Sequence, residues 1–242
     1  MAEDVLINCD MGESFGSWKM GNDQQIMPYI DAANIACGGH AGDPMVMATT
    51  VELALSHQVK IGAHPGYPDL QGFGRRAMKL TVAEIQQLIW SQTGALYGIT
   101  KALGGELFHI KPHGALYNDM MRDESILRNI MQAVRQFDSE LKLVIQATPN
   151  WQRHRQLANE VGVELLLEAF SDRGYQTDGL LVPRNQQSAL LTKDESISQS
   201  ENILYNNQVK SIAGDVITLE INTLCIHGDG DEALEIARAL AG

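Results

Sequence analysis

Short apolar runs recur along the chain, and each stops at a cluster of polar and glycine residues. Runs rich in β-favouring residues at Val5–Asn8, Asn34–Cys37, Lys60–His64, Leu107–Lys111, Lys142–Ala147, Val163–Ala169 and Thr223–His227 predict strands. Helical spacing lies between most of them. Asp43 is placed as the N-cap of a helix over Pro44–His57, with Pro44 at its first position. Thr81-Val-Ala-Glu84 is a capping box launching a helix that runs to Leu103 and stops at Gly104-Gly105. Further helices are predicted over Asp123–Phe137, Pro149–Val161 and Glu232–Leu240.

Strand–helix alternation implies parallel pairing with right-handed crossovers. Seven strands predict a distorted seven-stranded (β/α) TIM-like barrel, with an open doubly wound sheet as the alternative. The length fits one domain over 1–242. The polar stretch of about 174–218 breaks the alternation and reads as an excursion over the barrel mouth. It is expected to hold a helix and a hairpin pairing Lys210–Ile212 with Val216–Glu220 about Gly214-Asp215.

In a parallel barrel the strands end on one face, where chemistry gathers. The clusters that stop these runs bring Asn8, Asp10, Glu13, His40, Asp43, His64, Lys111, His113, Glu168, Arg173, His227 and Asp229 to that face. Asp10 and Glu13 suit acid–base work or a metal site; the structural alternative has them cap a loop or pair with Arg75 or Arg76. Asp43 serves equally well as a cap. Lys111 closes an apolar run and alternates with His113, so both point to one side. Glu168 ends an apolar run where a lone carboxylate is costly, and Arg173 and Lys111 are its candidate partners. Asp229 doubles as the start of a capping box with Glu232, and Asn118 reads as a loop or capping residue. His40, His64 and His113 are the candidate metal ligands, dispersed and without a signature spacing. His57, His109 and His154 are assigned structural places.

Composition trims the options. With 18 basic against 30 acidic residues the net charge is −12, which excludes a nucleic-acid footprint. No apolar run reaches the ~18 residues of a membrane span, and the Met-Ala-Glu-Asp start lacks a basic leader segment, so the cytoplasm is expected. Three cysteines without a C-x-x-C pair argue against a disulfide framework; Cys37 is expected to pack rather than react. Neither a G-x-x-x-x-G-K-[ST] loop nor a G-x-G-x-x-G turn is present.

Taken in order, Asn8-Cys-Asp-Met-Gly-Glu13, Ala33-Asn-Ile-Ala-Cys-Gly38, His40-Ala-Gly-Asp43, Gly62-Ala-His-Pro-Gly-Tyr-Pro-Asp69, Lys111-Pro-His-Gly-Ala-Leu-Tyr-Asn118, Asp172-Arg-Gly-Tyr175, Leu181-Val-Pro-Arg184 and His227-Gly-Asp229 resemble the LamB/YcsF family of 5-oxoprolinase A subunits. Gly39 departs from the family pattern, in which an aromatic residue usually stands there, and is expected to loosen the packing beside His40 without removing a polar group.

The resemblance implies a barrel of the glycoside hydrolase/deacetylase type, working with 5-oxoprolinase subunits B and C. The implied reaction opens 5-oxoproline to glutamate with ATP as cosubstrate; a divalent metal is a further candidate. Asp10, Glu13, Lys111, His113 and Glu168 are then the catalytic candidates. Asn8, His40, His64, Arg173, Arg184, His227 and Asp229 are the candidates for holding substrate or phosphate. Two other functions fit the same residues: a metal-dependent carbohydrate deacetylase, and a non-catalytic substrate-binding subunit.

Overall fold

The structure, a computed structural model, describes residues 5–230 and 232–241. Strands β1 (Leu6–Met11), β2 (Ala32–Ala36), β3 (Lys60–His64), β4 (Leu107–Ile110), β5 (Lys142–Gln146), β6 (Glu164–Phe170) and a last strand, β9 (Thr223–His227), form a closed barrel. Every pairing is parallel, and β9 closes the ring against both β6 and β1. The closed barrel is therefore what forms, and not the open sheet. Two small strands, β7 (Gln208–Lys210) and β8 (Val216–Thr218), make a separate antiparallel hairpin. It begins two residues earlier than the sequence pattern indicates, because the αL residue Asn207 ends the preceding helix and aligns Gln208 with Thr218.

Around the barrel lie α1 (Asp23–Ile26), α2 (Pro44–Ser56), α3 (Val82–Ala102), α4 (Gly114–Arg122), α5 (Glu124–Phe137), α6 (Trp151–Val161), α7 (Lys193–Asn206) and α8 (Ala233–Ala241). Their caps explain where they start. Asp43 accepts from the amides of Met45 and Val46, and Thr81 and Glu84 close a full capping box. Helix α5 buries Leu127, Ile130, Met131 and Val134, one stripe of a 3.6-residue repeat. Each such side chain stabilises by roughly 1.5–3 kcal/mol relative to exposure.

Three local expectations are corrected. Asn118 lies inside α4, not in a loop. That helix is obscured in the sequence by Pro112 and Gly114. A β-carbon at Gly114 (φ +55) would meet the Gly74 carbonyl oxygen at 2.7 Å, so glycine is required there. Glu232 does not close a capping box with Asp229; its carboxylate accepts from the Lys193 amide at the start of α7. Gly39 leaves no loose packing, because a β-carbon there would overlap Gln92 of α3, and His40 is 1% exposed. Gln92 holds both the amide and the carbonyl of Gly66.

Residues between β6 and β9 cross the end of the barrel and are pinned to it. Gln146 at the end of β5 donates to the Gly179 carbonyl, and the Tyr175 hydroxyl accepts from the Phe170 amide. Gln199 of α7 donates to the carbonyls of Phe170, Ser171 and Arg173. The expected helix of this stretch is α7, opened by a Thr192–Glu195 capping box.

Candidate active site

Parallel register stacks polar side chains inside the barrel. Asp10 is level with Asn34 and with His227, Asn34 with Gly62, and Gly62 with His109. Asn34 is the hub of the lower layer. Its Nδ2 donates to Asn8 Oδ1 at 2.7 Å and to Asp10 Oδ1 at 2.8 Å, while His109 Nε2 lies 2.6 Å from Asn34 Oδ1. Asn8 in turn donates to Thr223 Oγ1 at 2.7 Å. Gly62 is a glycine because a β-carbon would overlap the His109 ring. Burial, then the charge of Lys111, pushes His109 down to about 3, so it is neutral.

Lys111 sits above this layer, 2% exposed. Its Nζ is 2.9 Å from Asp10 Oδ1 and 2.8 Å from Glu168 Oε1, with Cys225 Sγ at 3.2 Å and the Phe170 ring centroid at 5.5 Å. The Glu168 contact lies off the hydrogen-bonding direction, so it is an ion pair and not a directed hydrogen bond. Tyr117 donates to the other oxygen of Glu168 at 2.8 Å. Burial acts on all these groups. For Lys111 it is outweighed, chiefly by Asp10, and the ammonium is held well above its ordinary value. For Asp10 burial is outweighed by His64 and Lys111, and the carboxyl is held well below the usual range. Of the two partners expected for Glu168, Lys111 is the one the structure provides.

Arg173 is spent differently. Its Nε donates to the Ala189 carbonyl at 2.9 Å and its Nη2 to the Val182 carbonyl at 2.7 Å, clamping the excursion, while part of it still borders the cleft. Neither arginine offered as a partner for Asp10 or Glu13 takes that place: Arg75 pairs with Asp229 at 3.0 Å, and Arg76 pairs with Asp69. His227 is oriented through Nδ1 by Asp172, at 2.8 Å and 3.0 Å from the two carboxylate oxygens.

On the other side of Asp10 lie three packed imidazoles. His64 Nε2 is 3.4 Å from Asp10 Oδ2 and 3.0 Å from His113 Nδ1. His40 stacks on His113 with ring centroids 3.6 Å apart, and Glu13 Oε1 lies 3.7 Å from His40 Nε2. Burial, followed by neighbouring histidines, pushes His40 and His113 well down; burial, followed by Asp10, pushes Glu13 well up. The group is a buried His/Glu cluster of metal-binding composition. Asp43 stands apart as a helix cap that also accepts from the Gly16 amide. Cys37 is buried and its thiol is pushed up, by burial, to about 12, which suits packing.

A cleft of about 460 Å³ opens over these groups. Asp10, Glu13, His64, Lys111, His113, Arg173, Arg184, His227 and Asp229 border it, whereas Asn8, His40 and Glu168 lie beneath. Sequence reasoning missed Asn34, Tyr117 and Asp172 as partners, and Arg122 as a further cation at the rim. The available signals were an Asn in the otherwise apolar β2, a Tyr one helical turn after His113, and an acid beside Arg173 in the Asp172–Tyr175 motif.

No described helix is long and apolar enough to cross a membrane. Fold and site together define a seven-stranded βα-barrel protein with a buried charged centre at the C-terminal ends of its strands. The chain belongs to the LamB/YcsF family, whose profile matches residues 5–242. It is 49% identical to the 5-oxoprolinase A subunit of Vibrio cholerae over 233 residues, 96% of this chain and 94% of that one. It is 48% identical to 5-oxoprolinase A subunit 2 of Pseudomonas putida, over 99% of this chain and 93% of that one. The crystal structure of a lactam utilization protein from Thermus thermophilus superposes with a TM-score of 0.89 at 39% identity, covering 98% and 94% of the two chains.

Proposed function

We propose that this chain is the A subunit of a cytoplasmic ATP-dependent 5-oxoprolinase, opening 5-oxo-L-proline to L-glutamate together with subunits B and C. The observation that carries the reading is the cleft itself: Arg75, Lys111, Arg122, Arg173 and Arg184 line it together with Asp10. A site so rich in cations suits a carboxylate substrate and phosphoryl oxygens. The relatives' names supply the lactam.

A lactam carbonyl is a poor electrophile, and phosphorylation of its oxygen removes that difficulty. ADP leaves; water adds to the former carbonyl carbon; the ring C–N bond then breaks, and nitrogen takes a proton to become the amine of glutamate. The γ-acyl phosphate left behind is hydrolysed by a second water, releasing phosphate. In this scheme Lys111 stabilises the oxyanion that develops when the second water attacks the acyl phosphate, and fixes Asp10 through Oδ1, leaving Asp10 Oδ2 to accept the proton of water. His227, held by Asp172 through Nδ1, keeps Nε2 for delivering a proton to the leaving nitrogen. Glu168 and Tyr117 are positioning residues acting through Lys111.

The test is 5-oxoproline-dependent ATP hydrolysis by the purified chain, with and without subunits B and C, scored for ADP and glutamate. Matched release of both only in the full mixture is expected. Unchanged activity in Lys111→Ala refutes the assigned roles. Acetate release from acetylated sugars without ATP would instead establish the deacetylase.

A further inference from the structure

A neutral imidazole has one nitrogen that donates and one that carries a lone pair. His64 Nδ1 lies 2.6 Å from the Lys111 carbonyl oxygen, and His113 Nε2 lies 2.9 Å from the Phe73 carbonyl oxygen. A carbonyl oxygen only accepts, so these two nitrogens carry the hydrogens. The opposite nitrogens, His64 Nε2 and His113 Nδ1, then direct lone pairs at each other across 3.0 Å. With both rings neutral that contact is repulsive, so it holds only with a cation, a proton or a metal ion, between the two nitrogens.

The surroundings favour a cation larger than a proton. Glu13 Oε1 stands 3.9 Å from His113 Nδ1 and is 3.7 Å from His40 Nε2. A proton held between the two histidines would leave Glu13 outside the contact. A divalent ion joins all three donors. The separations of 3.0 Å between the two histidine nitrogens and 3.9 Å from His113 Nδ1 to Glu13 Oε1 bracket the ~3.4 Å edges of a tetrahedron with ~2.0–2.1 Å metal–nitrogen bonds. Backbone carbonyls on the far ring nitrogens are the partners that orient metal-binding histidines. Glu13, His64 and His113 also border the cleft, which leaves one coordination position facing it.

The geometry points to a site for a divalent transition metal of the zinc class on His64 Nε2, His113 Nδ1 and the Glu13 carboxylate, in the floor of the cleft. His40 is not a ligand. Its ring is stacked on His113 at an interplanar angle of 4°, and lone pairs of parallel rings run side by side instead of converging. Its nitrogens have no hydrogen-bond partner among the described residues, and it stands behind Glu13 as an outer partner.

The test needs neither ATP nor lactam, so its outcome is separate from that of the proposed function. The full chain, stripped with a chelator, is titrated with Zn²⁺ by calorimetry and with Co²⁺ by visible absorption. One equivalent of each metal is expected, with intense Co²⁺ bands of low coordination number. His64→Ala and His113→Ala abolish binding, and His57→Ala, remote from the cluster, leaves it unchanged. His40→Ala keeps one equivalent with affinity ~10–100-fold weaker. X-ray absorption on the Zn²⁺-loaded wild-type chain shows two imidazoles, a count independent of whether any variant folds. Substoichiometric binding by the wild-type chain, or a count of three imidazoles or none, overturns the assignment.

Discussion

Replacing Lys111 by Met removes the cation while keeping most of the side-chain volume. Two buried carboxylates, Asp10 and Glu168, then lose partners at 2.9 Å and 2.8 Å, and Asn8 Oδ1 loses a weaker one at 3.4 Å. Breaking a buried ion pair in this way costs about 3–5 kcal/mol. Against a typical domain stability of about 5–15 kcal/mol, that is a large fraction. The carboxyls limit the loss by taking up protons, each rise of one pKa unit corresponding to about 1.36 kcal/mol. In the variant their folded pKa values lie above the unfolded values near ~4, so the folded state binds more protons. Its stability deficit is therefore small near pH 4 and grows as pH rises, until the raised folded values are passed. Urea unfolding followed by circular dichroism at pH 5 and pH 8 measures this directly. The variant should be several kcal/mol weaker at pH 8 and distinctly less so at pH 5. Adding Glu168→Gln, which removes one stranded charge, should restore at least ~1 kcal/mol at pH 8. A deficit below ~1 kcal/mol at pH 8, or one that does not change with pH, would show that Lys111 is not the charge holding these carboxylates.

Tyr117→Phe strips Glu168 Oε2 of its donor and should cost about 1–3 kcal/mol by the same urea assay; an unaltered midpoint would mean that the bond contributes nothing. His109 is held at about 3 when folded, against ~6.5 unfolded, so its contribution is full above pH ~6.5 and is lost as pH falls towards 3. His109→Gln should therefore flatten the fall in stability between pH 6 and pH 4 by up to ~1.36 kcal/mol per pH unit, and an unchanged slope would contradict the neutral assignment. Gly62→Ala drives a β-carbon into the His109 ring and should destabilise by about 1–3 kcal/mol in thermal melts. Arg184→Ala leaves the barrel interior untouched, so it should raise a reconstituted enzyme's KM ~10–100-fold with an unchanged melting temperature; a lowered melting temperature with normal KM would assign it to structure.

The barrel was legible because its signal is local. Val163–Ala169 and Thr223–His227 are apolar runs that end in polar residues whether or not their neighbours are known. The strand-end rule likewise brought Asp10, Lys111 and His227 to one cleft. What stayed hidden depends on contacts between distant segments. Glu168 had two plausible cations, and only the barrel's closure puts Lys111 beside it while the carbonyls of Val182 and Ala189 claim Arg173. Asn34 looked like an ordinary strand residue because its bonds are to Asn8, Asp10 and His109, each from another strand. Gly39 was misjudged for the same reason, since the side chain that fills its space comes from α3.

The ring joins the first strand to the last: β1 pairs with β9, and Asn8 reaches Thr223 across 215 positions of chain. During synthesis, Asp10 therefore emerges from the ribosome long before Lys111, Glu168 or the strand that seals the ring. Until β9 is released, the nascent chain can hold only an open, incomplete sheet, and these ionised groups remain in water. Desolvation of the charges and closure of the barrel are thus one event, which waits for β9.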